Sequence, residues 1–116
     1  MTVSEVAASI ERFGSSYLAR IFTEHEVSTC AADAPEVRAE RLAARFAAKE
    51  AAMKVLRPDG QVPAWTDIEV RRDPSGWCEL TLSGRAAELA AAAGLSRFAV
   101  SLTHEAGLAS AVVIAD

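Results

Sequence analysis

Cysteine is scarce in this sequence: Cys30 and Cys78 are the only two, and neither belongs to a CxxC or CxxH pattern. Two isolated thiols are neither the framework of a disulfide-rich secreted domain nor the ligand set of a structural zinc site. We therefore expect two reduced thiols, in the core or at the surface, which is typical of a cytoplasmic protein.

Long hydrophobic runs are missing as well. No apolar stretch approaches the roughly 18 residues that span a bilayer, and the start, MTVSEVAASIERF, lacks a basic segment followed by an apolar one. We therefore expect the protein to contact no membrane and to remain in the cytoplasm.

Positive charge is in deficit, with 12 Lys and Arg against 16 Asp and Glu and a formal net charge of -4. No overall positive field is available to hold a nucleic-acid backbone, so an anionic ligand must meet a local basic patch. Apolar residues, in contrast, are plentiful and make up 51% of the 116 residues. That is enough for a core without disulfides or metal, and we expect residues 1–116 to form one domain.

The spacing of the apolar residues predicts helices in the first half of the chain. Between residues 3 and 22 they recur three or four apart, as on one face of an amphipathic helix, and Gly14 interrupts the pattern. A second helix is predicted over residues 35–56, because proline is tolerated in a first turn and acidic residues come after it. A short third helix is predicted in GRAAELAAAAGL, closed by Gly94.

The second half of the chain predicts two β-hairpins. IEVRR and WCELTL flank DPSG, a turn in which proline presets one dihedral angle and glycine accepts a positive φ. The end, RFAVSLTHEAGLASAVVIAD, alternates apolar and polar residues, turns at HEAG and returns as a nearly continuous apolar strand. The order helix, helix, hairpin, helix, hairpin predicts an α+β fold with helices packed on an antiparallel sheet.

The charged residues of RFAAKEAAMK, residues 45–54, are the first candidates for function. Glu50 lies at the border of the apolar stripe of the predicted helix and Lys54 lies one turn further on, so an ordinary i,i+4 ion pair would explain both. Lys49 lies in the middle of that stripe. Its ammonium group either reaches the surface along the helix or points into a cleft or a subunit interface. The arginines along the preceding turns are Arg38, Arg41 and Arg45.

These charges also suit phosphate chemistry, because a carboxylate can hold a divalent cation while Lys and Arg bind phosphate oxygens. His104, in SLTHEAG, lies at the predicted turn of the last hairpin, where a histidine is more often a surface or packing residue than a functional one. No Ser/His/Asp order, glycine-rich phosphate loop or Cys/His metal cluster is present. The residues alone thus indicate a site for an anion and a cation near Glu50.

Four blocks in a fixed order carry a resemblance to a known family: ERF...YLARIFTEHE, RLAARFAAKEAAMKVL, W.DIEVRRDPSG and SLTHEAG.ASAVV. Together they resemble the holo-acyl-carrier-protein synthases, the small class of 4'-phosphopantetheinyl transferases, over about residues 3–115. The resemblance implies an α+β homotrimer with active sites between neighbouring subunits. It also implies transfer of phosphopantetheine from coenzyme A to a serine of an acyl carrier protein, with Mg²⁺ and release of 3',5'-ADP, as in fatty acid biosynthesis.

The resemblance implies roles for individual residues. Glu50 matches the carboxylate that binds Mg²⁺ and activates the attacking serine through water, and Lys54 matches the lysine that contacts the pyrophosphate. The implied substrate-binding residues are Arg45, Lys49, Thr103 and His104. Arg12 and Arg20 are the basic residues of the first helical segment that would dock an acidic carrier protein.

One part of the family pattern has no match. The family normally begins with a short strand, G-[IV]-G-x-D-[IL]-[VI], whose aspartate is a second ligand of Mg²⁺, whereas this sequence begins with the residues that come after that strand. Either translation starts further upstream, or the domain is shortened; within residues 1–116 we expect no residue to take the place of the aspartate. Two hypotheses remain: an enzyme that transfers phosphopantetheine, or a non-catalytic relative that still binds carrier protein or coenzyme A.

Overall fold

The computed structural model describes every residue from Met1 to Asp116. In chain order its elements are α1 (Val3–Phe13), α2 (Ser15–Ile21), α3 (Glu24–Thr29), α4 (Pro35–Leu56), a 3₁₀ turn (Trp65–Asp67), β1 (Ile68–Arg72), β2 (Cys78–Leu82), α5 (Gly84–Ala92), β3 (Phe98–Glu105) and β4 (Leu108–Ala115). The four strands form one sheet in the order β1-β2-β3-β4, with every neighbouring pair antiparallel. The predicted α+β fold is confirmed. None of the helices combines the length with the apolar character that a bilayer span requires.

The first helical segment is broken at Gly14, as the sequence predicts. This residue has φ 57° and ψ -131°, outside the helical region, while its N–H still donates to the carbonyl oxygen of Ile10. Glycine adopts a positive φ at little steric cost, so α1 ends here and α2 begins at once. Val6 of α1 and Ile21 of α2 are buried in one cluster with residues of α4.

Helix α3 has no counterpart among the predicted elements. The Thr23 hydroxyl accepts a hydrogen bond from the Glu26 N–H at 3.2 Å, and the Glu26 carboxylate accepts one from the Thr23 N–H at 2.9 Å. This reciprocal pair is a capping box, and its T-x-x-E pattern is visible in TEHE. The helix has only six residues, too few to show an apolar period, so spacing alone does not reveal it.

Helix α4 is the longest element, with 22 residues, and it joins the two parts of the core. Its first half contributes Leu42 and Ala43 to a cluster with α1 and α2, and its second half contributes Ala52 and Leu56 to a cluster with α5 and β1. The alanines allow neighbouring elements to approach closely, while each fully buried leucine contributes about 2 kcal/mol. The charged residues of α4 are therefore carried on a helix whose position is fixed by packing.

Both predicted hairpins are present, but the last one turns later than expected. In β3 and β4 the pairing runs from Phe98 opposite Ala115 to Glu105 opposite Leu108, so only Ala106 and Gly107 form the turn. Their φ values of 51° and 78° are those of a two-residue turn that matches the twist of the strands. The prediction that His104 lies at the turn is therefore wrong: it is paired within β3.

Candidate active site

Glu50 and Lys54 lie on one side of the second half of α4. Glu50 is half-buried and Lys54 is exposed. None of the ion pairs in the structure joins the two side chains, so the i,i+4 pair that would have explained both residues is not formed. The face of α4 that carries them, here the Glu50 face, thus presents an unpaired carboxylate beside an unpaired ammonium group.

Tyr17 of α2 lies close enough to Glu50 for the carboxylate charge to affect the pKa of its phenol. Burial, and then the negative charge of Glu50, raise the pKa of the Tyr17 phenol above its ordinary value of 10.0. The phenol therefore remains protonated near neutral pH and can act as a hydrogen-bond donor next to the carboxylate. In the sequence Tyr17 was only one apolar position of the helical stripe, and nothing there distinguished its hydroxyl group.

A row of aromatic rings fixes the walls around this region. Tyr17 packs edge-to-face on Phe22, with ring centres 6.3 Å apart, and Phe22 packs in the same way on Phe46 at 6.1 Å. Phe46 in turn meets Trp65 at 5.1 Å. Edge-to-face contacts of this kind each contribute about 0.5–1.5 kcal/mol beyond the buried area. The row ties α2 and α4 to the 3₁₀ turn, which limits movement of the Glu50 face.

Lys49 is the one predicted substrate-binding residue that the structure removes from the surface. Its side chain is completely buried, and its Nζ lies 2.7 Å from Oε1 of Glu26, which is also completely buried. Nζ donates further hydrogen bonds to the carbonyl oxygens of Trp65 and Ile68, so all three of its donors are satisfied. The prediction that Lys49 binds substrate is wrong, because an ammonium group enclosed in this way has neither access nor a free donor.

Glu26 is the partner that the sequence did not reveal. Besides Lys49, its carboxylate accepts hydrogen bonds from the N–H of Thr23 and, at 2.8 Å, from the N–H of Val70 in β1. Burial lowers the pKa of Lys49, and the Glu26 charge opposes that fall by favouring the ammonium form. The buried pair therefore joins α3, α4, β1 and the 3₁₀ turn. One of its two members, Lys49, is the residue directly before Glu50.

A second group of charged residues surrounds a cavity of about 480 Å³. Its polar side chains belong to Arg41, Arg45, Arg72, Thr103, His104 and Glu105. Arg45 is only 7% exposed, and its Nη1 donates to the carbonyl oxygen of Arg41 at 3.2 Å, while its Nε is buried without a hydrogen-bond partner. The cavity is therefore lined by three guanidinium groups, one of which, that of Arg45, has a donor without a partner. Such a lining suits an anion such as a phosphate. We call this the arginine cavity.

Two of the predicted residues reach the arginine cavity from β3. The Thr103 hydroxyl shares a 2.7 Å hydrogen bond with the hydroxyl of Ser110 on β4. The His104 imidazole is exposed, and its Nδ1 lies 3.7 Å from Oε2 of Glu40 on α4. Arg45, Thr103 and His104 are thus brought together, although they are distant in the sequence.

The Glu50 face and the arginine cavity are not brought together within one chain. At 100° per residue, Glu50 projects about 140° around the helix axis from Arg45, nearly on the opposite side of α4. A ligand that touches both groups must therefore lie between two copies of the chain or bridge around the helix.

The two arginines expected to dock a partner lie on the first helical segment. Arg12 is in the last turn of α1, with its guanidinium group 5.2 Å from the ring centre of Phe13, and Arg20 is in the last turn of α2. Both arginines are exposed, and so is Phe13. Arg12 thus forms an exposed pair with an aromatic ring on α1, and Arg20 adds a second exposed cation on α2.

The metal chemistry available here rests on Glu50. The structure contains no group of three or more His, Cys, Asp or Glu side chains arranged around a common point. Mg²⁺, however, prefers oxygen ligands, keeps several of its waters and often binds through one or two carboxylates together with substrate phosphates. A half-buried carboxylate free of ion pairs, next to a lysine, fits Mg²⁺ that arrives with a phosphate ligand.

Comparison with known proteins gives a consistent result. A family model described as the 4'-phosphopantetheinyl transferase superfamily matches residues 1–111. The holo-[acyl-carrier-protein] synthase of Koribacter versatilis (strain Ellin345) is 43% identical over 116 residues, covering 98% of this chain and 90% of that protein. The protein of the same name from Anaeromyxobacter sp. (strain K) is 47% identical over 110 residues, covering 94% and 79%.

Solved structures agree. The crystal structure of the Helicobacter pylori holo-[acyl-carrier-protein] synthase in complex with coenzyme A has a TM-score of 0.84 at 26% identity, and covers 100% of this chain and 95% of that one. The acyl carrier protein synthase of Mycobacterium tuberculosis has a TM-score of 0.72 at 30% identity, with coverage of 100% and 90%.

Proposed function

The chain belongs to the 4'-phosphopantetheinyl transferase superfamily, and we propose that residues 1–116 act in it as a holo-[acyl-carrier-protein] synthase. The reaction is transfer of 4'-phosphopantetheine from coenzyme A to a serine of apo acyl carrier protein, with release of 3',5'-ADP. The observation that carries this proposal is the 43% identity to a synthase of that name over 98% of the chain. Coenzyme A bound to the Helicobacter pylori neighbour supports the choice of donor.

The chemistry needs little covalent work from the protein. The serine hydroxyl oxygen attacks the phosphorus that bears pantetheine, a new P–O bond forms, and the P–O bond to the 3',5'-ADP portion breaks. Glu50 accepts the serine proton through a water molecule, and Lys54 neutralises the charge that grows on the departing phosphate. Positioned charge of this kind is the main source of rate in phosphoryl transfer. Both side chains are free of competing ion pairs.

Glu50 is also the residue that would hold Mg²⁺. The ion, when bound, would neutralise negative charge on the phosphate oxygens and so make the phosphorus more open to attack by the serine oxygen. The protein's part is to present a carboxylate oxygen at a fixed position, which the packing of α4 and the aromatic row behind it provide.

We propose a site shared between copies of the chain in a homotrimer. In support, Arg45, Thr103 and His104 line a cavity suited to phosphate, yet Glu50 and Lys54 lie on the other side of α4. One coenzyme A molecule carries both a pyrophosphate and a separate 3'-phosphate, so it can engage the Glu50 face of one copy and the arginine cavity of the next. Arg12 and Arg20 then receive the acidic carrier protein.

We place the reaction in the cytoplasm, where it supplies holo carrier protein for fatty acid biosynthesis. The two free and buried thiols, Cys30 and Cys78, support a reducing compartment.

The test is incubation of the purified chain with coenzyme A, Mg²⁺ and apo acyl carrier protein, followed by intact mass spectrometry of the carrier. The proposal predicts a carrier heavier by one phosphopantetheine group, with a carrier whose serine is replaced by alanine as the unmodified control. Binding of coenzyme A without any modified carrier would favour the non-catalytic alternative and contradict the proposed activity.

A further inference from the structure

Arg57 ends α4 in an unusual backbone conformation. Its φ of 49° and ψ of 59° are left-handed, and its N–H donates to the carbonyl oxygen of Met53 at 3.1 Å. Glycine is the residue most often found at this position of a helix end, because in L-residues the Cβ atom crowds the following carbonyl oxygen. The chain therefore keeps a long charged side chain where glycine would be less strained.

Local structure does not account for the Arg57 side chain. It is exposed, and its guanidinium group takes part in none of the hydrogen bonds or ion pairs of the structure. The loop after α4 is held by a different residue: Arg85 donates to the carbonyl oxygens of Gln61 at 3.0 Å and Asp59 at 3.4 Å. A cation at a helix C-terminus is favourable, but Lys54 already occupies the last turn.

Helical geometry places Arg57 beside the candidate catalytic residues. The Arg57 N–H closes the last hydrogen-bonded turn of α4, and the Arg57 Cα follows Lys54 by three positions and Glu50 by seven, so the three backbone positions lie on one side of the helix end. The three positions thus follow one another over about 10 Å of the end of α4, with the carboxylate first, the ammonium group next and the guanidinium group last. That length suits a ligand with more than one phosphate group.

We propose that Arg57 is a further substrate-binding residue, which contacts the pyrophosphate of coenzyme A beside Lys54. The proposal rests on the proposed function, since it names a residue for that substrate. A guanidinium group can bind two phosphate oxygens at once, which a lysine cannot.

The experiment compares Arg57→Gly with Arg57→Lys in the full chain. Glycine removes the charge and relieves the backbone, so a residue with a structural role only would leave coenzyme A binding unchanged. We expect Arg57→Gly to raise the Kd for coenzyme A, measured by calorimetry with Mg²⁺, and the KM for coenzyme A, each by about tenfold. The melting temperature should stay level or rise. Arg57→Lys should recover part of the lost affinity.

Arg97→Ala is the matched control, since Arg97 is 82% exposed and pairs only with Asp116 at the end of the chain. This variant should bind coenzyme A like the unchanged protein. Wild-type Kd and KM in Arg57→Gly would overturn the inference while leaving the proposed function in place. If the unchanged protein binds coenzyme A but modifies no carrier, the proposed activity fails and the binding comparison still decides the role of Arg57. Absence of coenzyme A binding by the unchanged protein would refute both.

Discussion

Two glutamates of this chain show how surroundings decide what a residue does. Glu26 is completely buried, and its oxygens are occupied by Lys49 and by the N–H groups of Thr23 and Val70. Glu50 is half-buried and free of ion pairs, so its carboxylate is available to a cation or a proton. The sequence placed Glu50 at the border of an apolar stripe. The sequence did not show that Glu26 pairs with Lys49. That contact depends on the short helix α3, which begins at a capping box, and on the position of β1 against it.

Removing the charge of Glu50 should stop the reaction without affecting the fold. In Glu50→Gln the shape of the side chain is kept, so stability should change by less than about 0.5 kcal/mol. Activity should fall on the order of 100-fold or more, because the carboxylate proposed to bind the cation and to accept the proton is lost. Steady-state kinetics and thermal melting measure the two effects. Glu88→Gln, at an exposed position of α5, is the control and should retain full activity.

The buried pair should behave in the opposite way. Lys49→Met leaves the Glu26 carboxylate buried without its cation, so we expect a loss of about 3–5 kcal/mol in the free energy of unfolding. Adding Glu26→Gln to that variant removes the stranded charge and should restore part of the stability. Urea denaturation gives both values. If Lys49→Met alone were as stable as the unchanged protein, the pair would not be what holds α3 and α4 together.

Among the helices and strands, those determined by local interactions were predicted from local sequence patterns. The apolar period gave α1, α2, α4 and α5, and the turn residues gave both hairpins. The turn was predicted within HEAG, but not that its last two residues, Ala106 and Gly107, form it alone, because this depends on a positive φ at an alanine, which sequence preferences disfavour. The arginine cavity was not predicted as a unit, since α4, β1 and β3 meet there only through the order of the sheet.

The turn between β1 and β2 provides a pH-dependent test. The Asp73 carboxylate accepts hydrogen bonds from Ser75 and from the N–H of Trp77, and these bonds hold the pKa of Asp73 below its ordinary value of 3.8. A lowered pKa in the folded state means that the stabilisation is complete above pH 3.8 and is lost as the pH falls through the folded value. Asp73→Ala should therefore melt below the unchanged protein at pH 7, and the difference should shrink towards pH 3. A gap that stays constant would contradict this account of the turn.

For the whole molecule, the outer surface of the sheet is unusually apolar. Val112, Ile114 and Trp77 are each more than 60% exposed, and they line a shallow cavity of about 330 Å³ beside β3. Contiguous apolar surface of this kind is typical of a subunit interface. The cavity is also lined by Ser101 and Leu102 of β3, the residues that come directly before Thr103 and His104, so association through this surface would bring the arginine cavity of one copy close to a neighbour.

We expect a homotrimer in solution, held in part by this surface. Light scattering at micromolar concentration should give about three times the chain mass of 12.3 kDa. Val112→Asp together with Ile114→Asp should shift the mass towards that of one chain and reduce activity, because each site would lose its second contributor. A monomer with full activity would refute the shared site.

The most direct test of the central claim, a transferase site built from two copies of the chain, is a mixing experiment. Glu50→Gln disables the Glu50 face, and Arg45→Ala together with His104→Ala disables the arginine cavity, so each variant alone should leave the carrier unmodified. When the two variants are unfolded together and refolded as a mixture, about a quarter of the sites should combine two intact halves. Phosphopantetheine transfer by the mixture, measured by the mass of the carrier, should return to roughly that fraction of the unchanged rate. A mixture as inactive as its components would contradict the claim.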